Sequence, residues 1–222
     1  MRAVSAMTLV IGNKNYSSWS LRPWLLLRHS GIPFEEVRFP LYRDDTRERI
    51  AALSPSGLVP VLRHGDVAVW DSLAICEHVN ELYPAHLLWP ADPSARAVAR
   101  AASAEMHAGF RALREHMPMN CRGYLPGRGL NPETEKDIRR ILALWRHCRT
   151  TCGDGGPMLF GGFSIADAMF APVALRFQTY DVKLDPVGAA YVSTLLALPA
   201  MVEWVDAARR EPERLEQFEP YG

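Results

Sequence analysis

Cysteine is scarce in this sequence, and its spacing excludes most chemistry that depends on the chain's own thiols. The 222 residues contain four cysteines, and no two of them form a C-x-x-C pair. Cys148 and Cys152 lie one helical turn apart, but no nearby set of His and Cys residues completes a zinc site. We therefore expect free thiols in a reducing cytoplasmic protein, and no bound metal.

An excess of charge and long hydrophobic runs are also missing. The chain has 25 Lys and Arg residues against 25 Asp and Glu residues, which argues against a nucleic-acid groove or an anionic membrane surface as partner. No stretch approaches the ~20 apolar residues of a membrane span, and the start has no apolar signal segment. The 48% of hydrophobic residues suffices for the core of one large or two small domains.

Strand and helix patterns alternate over the first 83 residues. In order, the periodicity predicts a strand at 7–11, a helix at 18–30, a strand at 35–41, a helix at 44–53, a hairpin of 61–62 with 67–70, and a helix at 73–83. A helical connection makes the first two strands parallel, and a short turn makes the last two antiparallel.

From residue 92 onward the pattern is helical. A proline-rich linker at 84–93 precedes predicted helices at 91–114, 131–151, 164–180, 187–196 and 199–210. Ser164 and Asp167 match a capping box at the start of the third of these helices. We therefore predict an α/β domain at 1–83 followed by an all-helical domain at 92–222.

The polar segment 15–20 joins the first strand to the first helix. Hydroxyl groups at a helix N-terminus cap free N–H groups and lie where the helix dipole favours an anion. Ser17 and Ser18 are therefore either plain helix caps or part of a site that acts on an anion. The nearby cations Lys14 and Arg22 are interpreted as solvated surface charges.

Two later turns also carry polar or restricted residues. Val59-Pro60 leads directly into an apolar run, and a proline there cannot donate to a strand ladder. The segment therefore enters the sheet at an edge or through an unusual peptide bond. Asp71 and Ser72 precede the next helix and are predicted to cap it.

Taken together, these segments resemble the cytosolic glutathione S-transferases, and among them the zeta-like classes with an active-site serine. The four motifs that carry the resemblance are YSSWSLRP at 16–23, SGLVPVL at 56–62, WDSLAI at 70–75 and SIAD at 164–167. They follow the family's order and spacing over nearly the whole chain. The resemblance implies a thioredoxin-like βαβαββα domain, with the family's cis-proline, followed by an all-α domain.

The resemblance assigns the chemistry to the polar segment 15–20, called the serine turn from here on. Ser17 is the implied catalytic hydroxyl, which would donate to the thiolate of glutathione and so favour ionisation of the thiol. Ser18 is the second candidate. Tyr16 is the third, because phenols serve this role in other classes, and it is also a candidate contact of the electrophile. Helix capping alone remains the alternative for both serines.

Glutathione binding is implied for the two later turns. The backbone of Val59, fixed by a cis bond to Pro60, would pair with the cysteinyl part of the peptide as an added strand. Asp71 suits the γ-glutamyl ammonium, and Ser72 suits its carboxylate. An ordinary X-Pro bond and plain helix capping are the respective alternatives.

The resemblance places the electrophile against the first helix of the helical domain. The candidates at helical spacing there are Met106, His107, Phe110, Arg111 and Arg114. His107 and Arg111 lie one turn apart and would suit an anionic or electron-poor substrate, whereas an amphipathic core helix is the alternative. Asn120 and Tyr124 are weaker candidates, and Asp167 is interpreted as structural.

One departure from the zeta pattern reduces the range of activities that we expect. Trp19 stands where zeta enzymes carry a cysteine, so the frame Ser17–Ser20 holds no sulfur. This argues against disulfide reductase, glutaredoxin-like and omega-like chemistry, and against maleylacetoacetate isomerase activity. The resemblance implies a dimeric, cytoplasmic detoxification transferase with glutathione as co-substrate. A glutathione-dependent isomerase and a non-catalytic binding or scaffold protein are the alternatives.

Overall fold

The computed structural model describes residues 6–221, which form a four-stranded sheet followed by a helical region. The strands are β1 (Met7–Ile11), β2 (Glu35–Arg38), β3 (Val61–His64) and β4 (Val67–Trp70). The helices are α1 (Ser18–His29), α2 (Thr46–Ala51), α3 (Ser72–Leu82), α4 (Pro93–Ala108), α5 (Arg111–His116), α6 (Pro132–Cys152), α7 (Ile165–Thr179), α8 (Pro186–Leu196) and α9 (Pro199–Arg210). Short 3-10 turns lie at Pro84–His86 and Glu216–Phe218. The outer limits of the two predicted domains, at 1 and 222, lie outside the described residues.

The sheet has the predicted topology. Its strand order is β2-β1-β3-β4, in which β1 runs parallel to β2 and antiparallel to β3, and β3 and β4 form an antiparallel hairpin. The second strand ends at Arg38, three residues earlier than predicted. Pro40 has no N–H for the ladder, and the N–H of Leu41 bonds the side-chain oxygen of Asn13 instead.

Helix α7 lies at the centre of the molecule and joins its two halves. Nearly all of its residues are buried, and it packs against α1, α4 and α8. The predicted capping box is present, because the Ser164 side chain and the Asp167 carboxylate each bond a backbone N–H of the other residue. One buried hydrophobic cluster therefore runs from the sheet into the helical region.

The prediction of one continuous helix over 91–114 is wrong. Helix α4 ends at Ala108, and α5 begins at Arg111 after a break at Gly109 and Phe110. Phe110 has a left-handed backbone (φ +56°), and a Cβ on Gly109 would lie 2.7 Å from the carbonyl oxygen of Glu105. The chain therefore changes direction here, and side chains on either side of the break no longer share one helical face.

Candidate active site

The serine turn lies at the floor of a cleft between the sheet and the helical region. The cleft has a volume of about 1460 Å³, which exceeds the ~300–1,000 Å³ of most small-molecule sites. It is lined by Tyr16 to Trp19, parts of the segment 41–60, Trp70 to Ser72, parts of the segment 111–119, Arg176 and Phe218. The cleft therefore has room for a tripeptide and a second small molecule.

The hydroxyl of Ser17 is not used to cap α1. Ser17 occupies the N-cap position, but its side chain makes no capping hydrogen bond. Its Oγ instead donates to Ser20 Oγ at 2.7 Å, and Ser20 Oγ accepts from the N–H of Gly12 at 3.1 Å. A hydroxyl proton at the helix N-terminus, held by another hydroxyl, can turn to an incoming anion at little cost. Ser18 is also buried and lines the cleft.

The phenol of Tyr16 is committed to other partners. Its O–H donates to Glu219, and its oxygen accepts from Arg122 Nη2 at 2.8 Å and from the N–H of Leu215 at 3.3 Å. Burial and the bond to Glu219 raise the pKa of this phenol. Because the hydroxyl has only one proton and donates it in the hydrogen bond to Glu219, Tyr16 presents its ring, rather than its hydroxyl, to the cleft.

We expect replacement of Tyr16 by phenylalanine to leave the pKa of bound glutathione close to its wild-type value. The variant loses three hydrogen bonds, so the free energy of unfolding should fall by about 1–3 kcal/mol. Tyr42→Phe is the matched control, since Tyr42 is an exposed tyrosine at the same cleft. A thiol pKa that rises in Tyr16→Phe by as much as in Ser17→Ala would place the phenol on the sulfur and contradict this reading.

The extended backbone just ahead of β3 lines the cleft at Val59. The Val59-Pro60 peptide bond is cis, as the resemblance implies. Neither the N–H nor the C=O of Val59 has a hydrogen-bond partner within residues 6–221. This backbone is therefore able to pair with an extended peptide in the cleft.

The turn between β4 and α3 presents Asp71 and Ser72. Asp71 has a strained backbone (φ +75°), and its Oδ1 caps the N–H groups of Leu73 and Ala74 at 2.9 and 3.2 Å. Its other oxygen lies 3.1 Å from Nε2 of His107 on α4. Asp71 can cap α3 and also bind a ligand, because one carboxylate oxygen accepts from the helix N–H groups. The other oxygen points towards the helical region and can accept further hydrogen bonds.

Arg22 and Lys14 are not solvated, which corrects the interpretation from the sequence. Arg22 is 1% exposed, its guanidinium lies 4.2 Å from the ring centroid of Trp19, and its Nη1 donates to Ser72 Oγ at 3.3 Å. Lys14 is buried against two indole rings and pairs with Glu36 at 2.8 Å. Amphipathic side chains of this kind pack their stems and stack on aromatic faces, which a local reading of charge does not detect.

A cluster of arginines lies behind and beside the serine turn. Burial and the nearby charges of Arg176 and Arg114 lower the pKa of Arg22 to about 9, so that it stays protonated at neutral pH. Its Nε is buried without a hydrogen-bond partner in the described chain. Burial likewise lowers the pKa of Arg176 to about 10. This positive cluster favours an anion in the cleft.

The predicted electrophile contacts are only partly brought to the cleft. Met106, on the buried face of α4, and Phe110, at the break after that helix, both lie in the hydrophobic core and not in the cleft lining. His107 contacts Asp71 and the edge of Trp19 instead. Arg111 lines the cleft, together with Arg114 and the ring of Tyr16.

The two weaker candidates lie outside the cleft lining. Asn120 is buried, where its side-chain oxygen accepts hydrogen bonds from Asn15 and from the N–H of Arg122. Tyr124 is exposed on the surface. Neither side chain lines the cleft as the structure describes it.

Sequence reasoning missed several side chains of this region, and three of them shape its charge and its aromatic wall. They are Arg176 on α7, Phe218 in the C-terminal 3-10 turn and Trp19 as the ring between two guanidinium groups, those of Arg22 and Arg114. An arginine within the otherwise apolar face of α7 was an available signal for Arg176. Phe218 has no such signal, since an aromatic residue near a chain end is unremarkable by itself.

The chain's own thiols and potential metal ligands do not converge on the cleft. The four cysteines are free, as predicted, and burial raises the pKa of the Cys76 and Cys121 thiols. Among residues 6–221, no three His, Cys, Asp or Glu side chains are grouped to hold a metal ion. Across that range, no single helix has the length and apolar character of a membrane span. Helices α8 and α9 have that length and character only when they are taken together, and the pair is bent by 72°.

Comparison with known families gives two adjoining matches. The profile described as "Glutathione S-transferase, N-terminal domain" matches residues 16–82. The profile described as "Glutathione S-transferase, C-terminal domain" matches residues 95–207. The matched regions contain the serine turn, the cis-proline segment and the helices that close the cleft.

Individual proteins show the same likeness. The chain is 31% identical over 188 residues to glutathione S-transferase Z2 of Arabidopsis thaliana, covering 78% of this chain and 80% of that protein. It is 29% identical over 173 residues to maleylacetoacetate isomerase of Rattus norvegicus, covering 76% and 77%. A crystal structure of a glutathione transferase homologue from Burkholderia, with bound glutathione, superposes with a TM-score of 0.71 at 25% identity, covering 93% of this chain and 100% of that one.

Proposed function

This chain belongs to the glutathione S-transferase family, and from that premise we propose that it ionises the thiol of reduced glutathione and transfers the sulfur to a small electrophile. The observation that carries the proposal is the Ser17 hydroxyl, which lies at a helix N-terminus inside the cleft and makes no capping bond. The thiolate attacks an electrophilic carbon, a C–S bond forms, and the leaving group departs with its electron pair.

Ionisation of the glutathione thiol requires only a modest stabilisation of the anion. A free thiol has a pKa of about 8.5, so only a few per cent is thiolate at neutral pH. Lowering that pKa by ~2 units requires ~2.7 kcal/mol of preferential stabilisation of the anion. One charge-assisted hydrogen bond and a helix N-terminus together supply about that amount. The protonated Arg22 behind the turn adds favourable charge in the same direction.

Binding of the peptide is proposed for the first domain, 1–83. The free backbone groups of Val59 pair with the cysteinyl residue, Ser72 receives the γ-glutamyl carboxylate at the N-terminus of α3, and Asp71 receives its ammonium. The second domain, 92–222, supplies the electrophile side through Arg111 and Arg114. A homodimer in the cytoplasm remains part of the proposal, on the resemblance alone.

We expect Ser72→Ala to raise the dissociation constant of glutathione about tenfold, because about 1.4 kcal/mol of hydrogen bonding to the carboxylate is lost. Calorimetry measures this directly. Cysteinylglycine is the control ligand, since it lacks the γ-glutamyl group and should bind the variant and the wild type equally. An equal loss for both ligands would contradict the placement of the γ-glutamyl carboxylate at Ser72.

A glutathione-dependent isomerase is the second candidate. A relative over three quarters of the chain is named maleylacetoacetate isomerase, and an acidic substrate would suit the arginines that line the cleft, which include Arg111, Arg114 and Arg176. The indole of Trp19 at the cysteine position of the zeta motif favours the transferase. The two candidates share the thiolate and differ in whether the sulfur leaves again.

Turnover with a panel of acceptors distinguishes these candidates. Aryl halides, epoxides, peroxides and enone acids are each supplied with glutathione, and products are separated by chromatography and identified by mass and by NMR. Stable thioether products support the transferase, whereas an isomerised enone acid with no net consumption of glutathione supports the isomerase. Absence of glutathione binding at millimolar concentration in calorimetry would contradict both and leave a scaffold protein.

A further inference from the structure

The C-terminal segment, residues 211–221 after α9, returns to the serine turn and contacts it closely. Glu211 begins the segment, and its carboxylate accepts from the N–H of Lys14 at 2.7 Å and from the N–H of Asn15 at 3.0 Å. Glu211 is 8% exposed. Two consecutive backbone N–H groups, just ahead of Ser17, are thus held by one buried carboxylate from the other end of the chain.

Neutral hydrogen bonds also hold the turn. The N–H groups of Tyr16 and Ser17 both bond the carbonyl of Asn13, at 3.2 and 2.8 Å, so the segment 13–17 forms one tight turn. Trp204 on α9 donates to the carbonyl of Lys14 at 3.0 Å. Charge-assisted bonds to a carboxylate are about twice as strong as neutral ones, which makes Glu211 a major fixing contact of this turn.

The carboxylate of Glu211 is itself held in place. Arg38 Nη1 lies 3.4 Å from it, and Arg122 donates to the backbone carbonyls of Glu211 and Glu213 at 2.7 and 2.8 Å. These cations compensate a buried negative charge that would otherwise oppose a thiolate in the neighbouring cleft. Arg38 also pairs with Glu213, at 3.1 Å.

The far end of the segment lines the cleft. The ring of Phe218 stacks on Tyr16, with centroids 5.7 Å apart and an interplanar angle of 25°, and it also contacts the ring of Tyr42. Glu219 receives the phenol proton of Tyr16. The segment therefore touches the catalytic region at both its backbone and its aromatic wall.

We propose that Glu211 is a positioning residue for the catalytic serine, acting through the Lys14 and Asn15 N–H groups to fix where the Ser17 hydroxyl points. The proposal rests on the proposed function, because it assumes that Ser17 stabilises the glutathione thiolate. Preorganised donors stabilise charge because they need not rearrange as it forms. A turn released from Glu211 would hold the hydroxyl in several orientations, and the stabilisation of the thiolate would be diluted.

Glu211→Gln tests the proposal. The amide is nearly isosteric, but its NH₂ group faces one of the two N–H donors, so that one bond is lost. We expect the thiol pKa of bound glutathione to rise by about 1 unit and kcat at pH 7 to fall about threefold, with the dissociation constant of glutathione changed less than about twofold. Glu213→Gln is the matched control, since Glu213 shares Arg38 but has no bond to the turn.

The outcomes separate positioning from stability. A lowered melting temperature in Glu211→Gln, with kcat and thiol pKa unchanged, would overturn the proposal. Equal kinetic effects in Glu211→Gln and Glu213→Gln would overturn it as well. If the glutamine variant does not fold, Glu211→Asp keeps the charge but withdraws the carboxylate, and the same pKa and kcat shifts are expected in smaller measure.

A readout that does not involve glutathione keeps this inference distinct from the proposed function. Amide hydrogen exchange at Lys14 and Asn15 should be faster in Glu211→Gln than in the wild type, and unchanged in Glu213→Gln. If the wild type shows no lowered thiol pKa, the proposed function fails. In that case unchanged exchange at these two amides overturns the role of Glu211, and faster exchange supports its hold on the turn.

Discussion

Replacing Ser17 by alanine is expected to lower kcat at pH 7 roughly 20-fold, with a small change in the KM for glutathione. If Ser17 lowers the thiol pKa from about 8.5 to about 6.5, the thiolate fraction at pH 7 falls from about three quarters to about 3% when the hydroxyl is removed. In the proposed site the peptide is held elsewhere, by Val59 and the turn at Asp71 and Ser72, so we expect binding to survive.

The pH dependence of this effect is part of the prediction. Above about pH 9 the thiol is ionised in both proteins, so the deficit of Ser17→Ala should shrink as pH rises through the pKa of the unassisted thiol. Ser18→Ala is the matched control, because Ser18 lies next in the chain with the same small exposure and should retain most activity. A deficit that stays constant with pH, or is larger in Ser18→Ala, would contradict the assignment.

Replacing Asp167 by alanine is expected to lower the free energy of unfolding by about 4 kcal/mol. The carboxylate is fully buried and accepts from the N–H of Leu159 at 3.1 Å, from the N–H and hydroxyl of Ser164 at 2.8 and 3.0 Å, and from the hydroxyl of Tyr191 at 3.1 Å. Removing it leaves several buried donors unpaired, at about 1–3 kcal/mol for each group that finds no water.

The measurement is chemical denaturation followed by two optical probes, with a matched control at another helix start. Asp185 caps α8 through the N–H of Gly188 at 2.7 Å but lies partly exposed, so Asp185→Ala should cost only about 1 kcal/mol. Burial raises the pKa of Asp167 to about 6, which is still below neutral pH, so the carboxylate is mostly ionised where the comparison is made. If both variants lost the same free energy of unfolding, Asp167 would contribute no more than an exposed helix cap, which would contradict the prediction.

Local patterns were sufficient for most of the fold. Alternation of apolar and polar residues indicates the strands, and a 3.6-residue apolar periodicity indicates the helices. Turn and capping residues at Val59-Pro60, Asp71 and Ser164 indicate where these elements begin. These features depend on neighbours within a few residues. The break at Gly109 and Phe110 was missed because alanine-rich, amphipathic sequence continues across it, and the backbone carbonyl of Glu105 that crowds Gly109 is visible only in three dimensions.

The candidate site was predictable where it lies in a motif and not where it is assembled from distant chain. Ser17, Val59 and Ser72 belong to turn motifs that carry the family resemblance, and all three line the cleft; their roles stay predictions. Arg22 was misread as a surface charge, since its burial depends on Trp19, Ser72 and the packing of α7. Glu211 was not considered, because 196 residues separate it from the N–H of Asn15 that it holds.

Titration of bound glutathione tests most directly whether this chain stabilises the glutathione thiolate. Wild-type protein saturated with glutathione is titrated from pH 5 to pH 10, and the thiolate is followed by difference ultraviolet absorbance against protein with S-methylglutathione, which has no ionisable thiol. We expect an apparent thiol pKa of about 6.5, some 2 units below that of the free peptide. A bound thiol that titrates near 8.5, as it does in water, would contradict it.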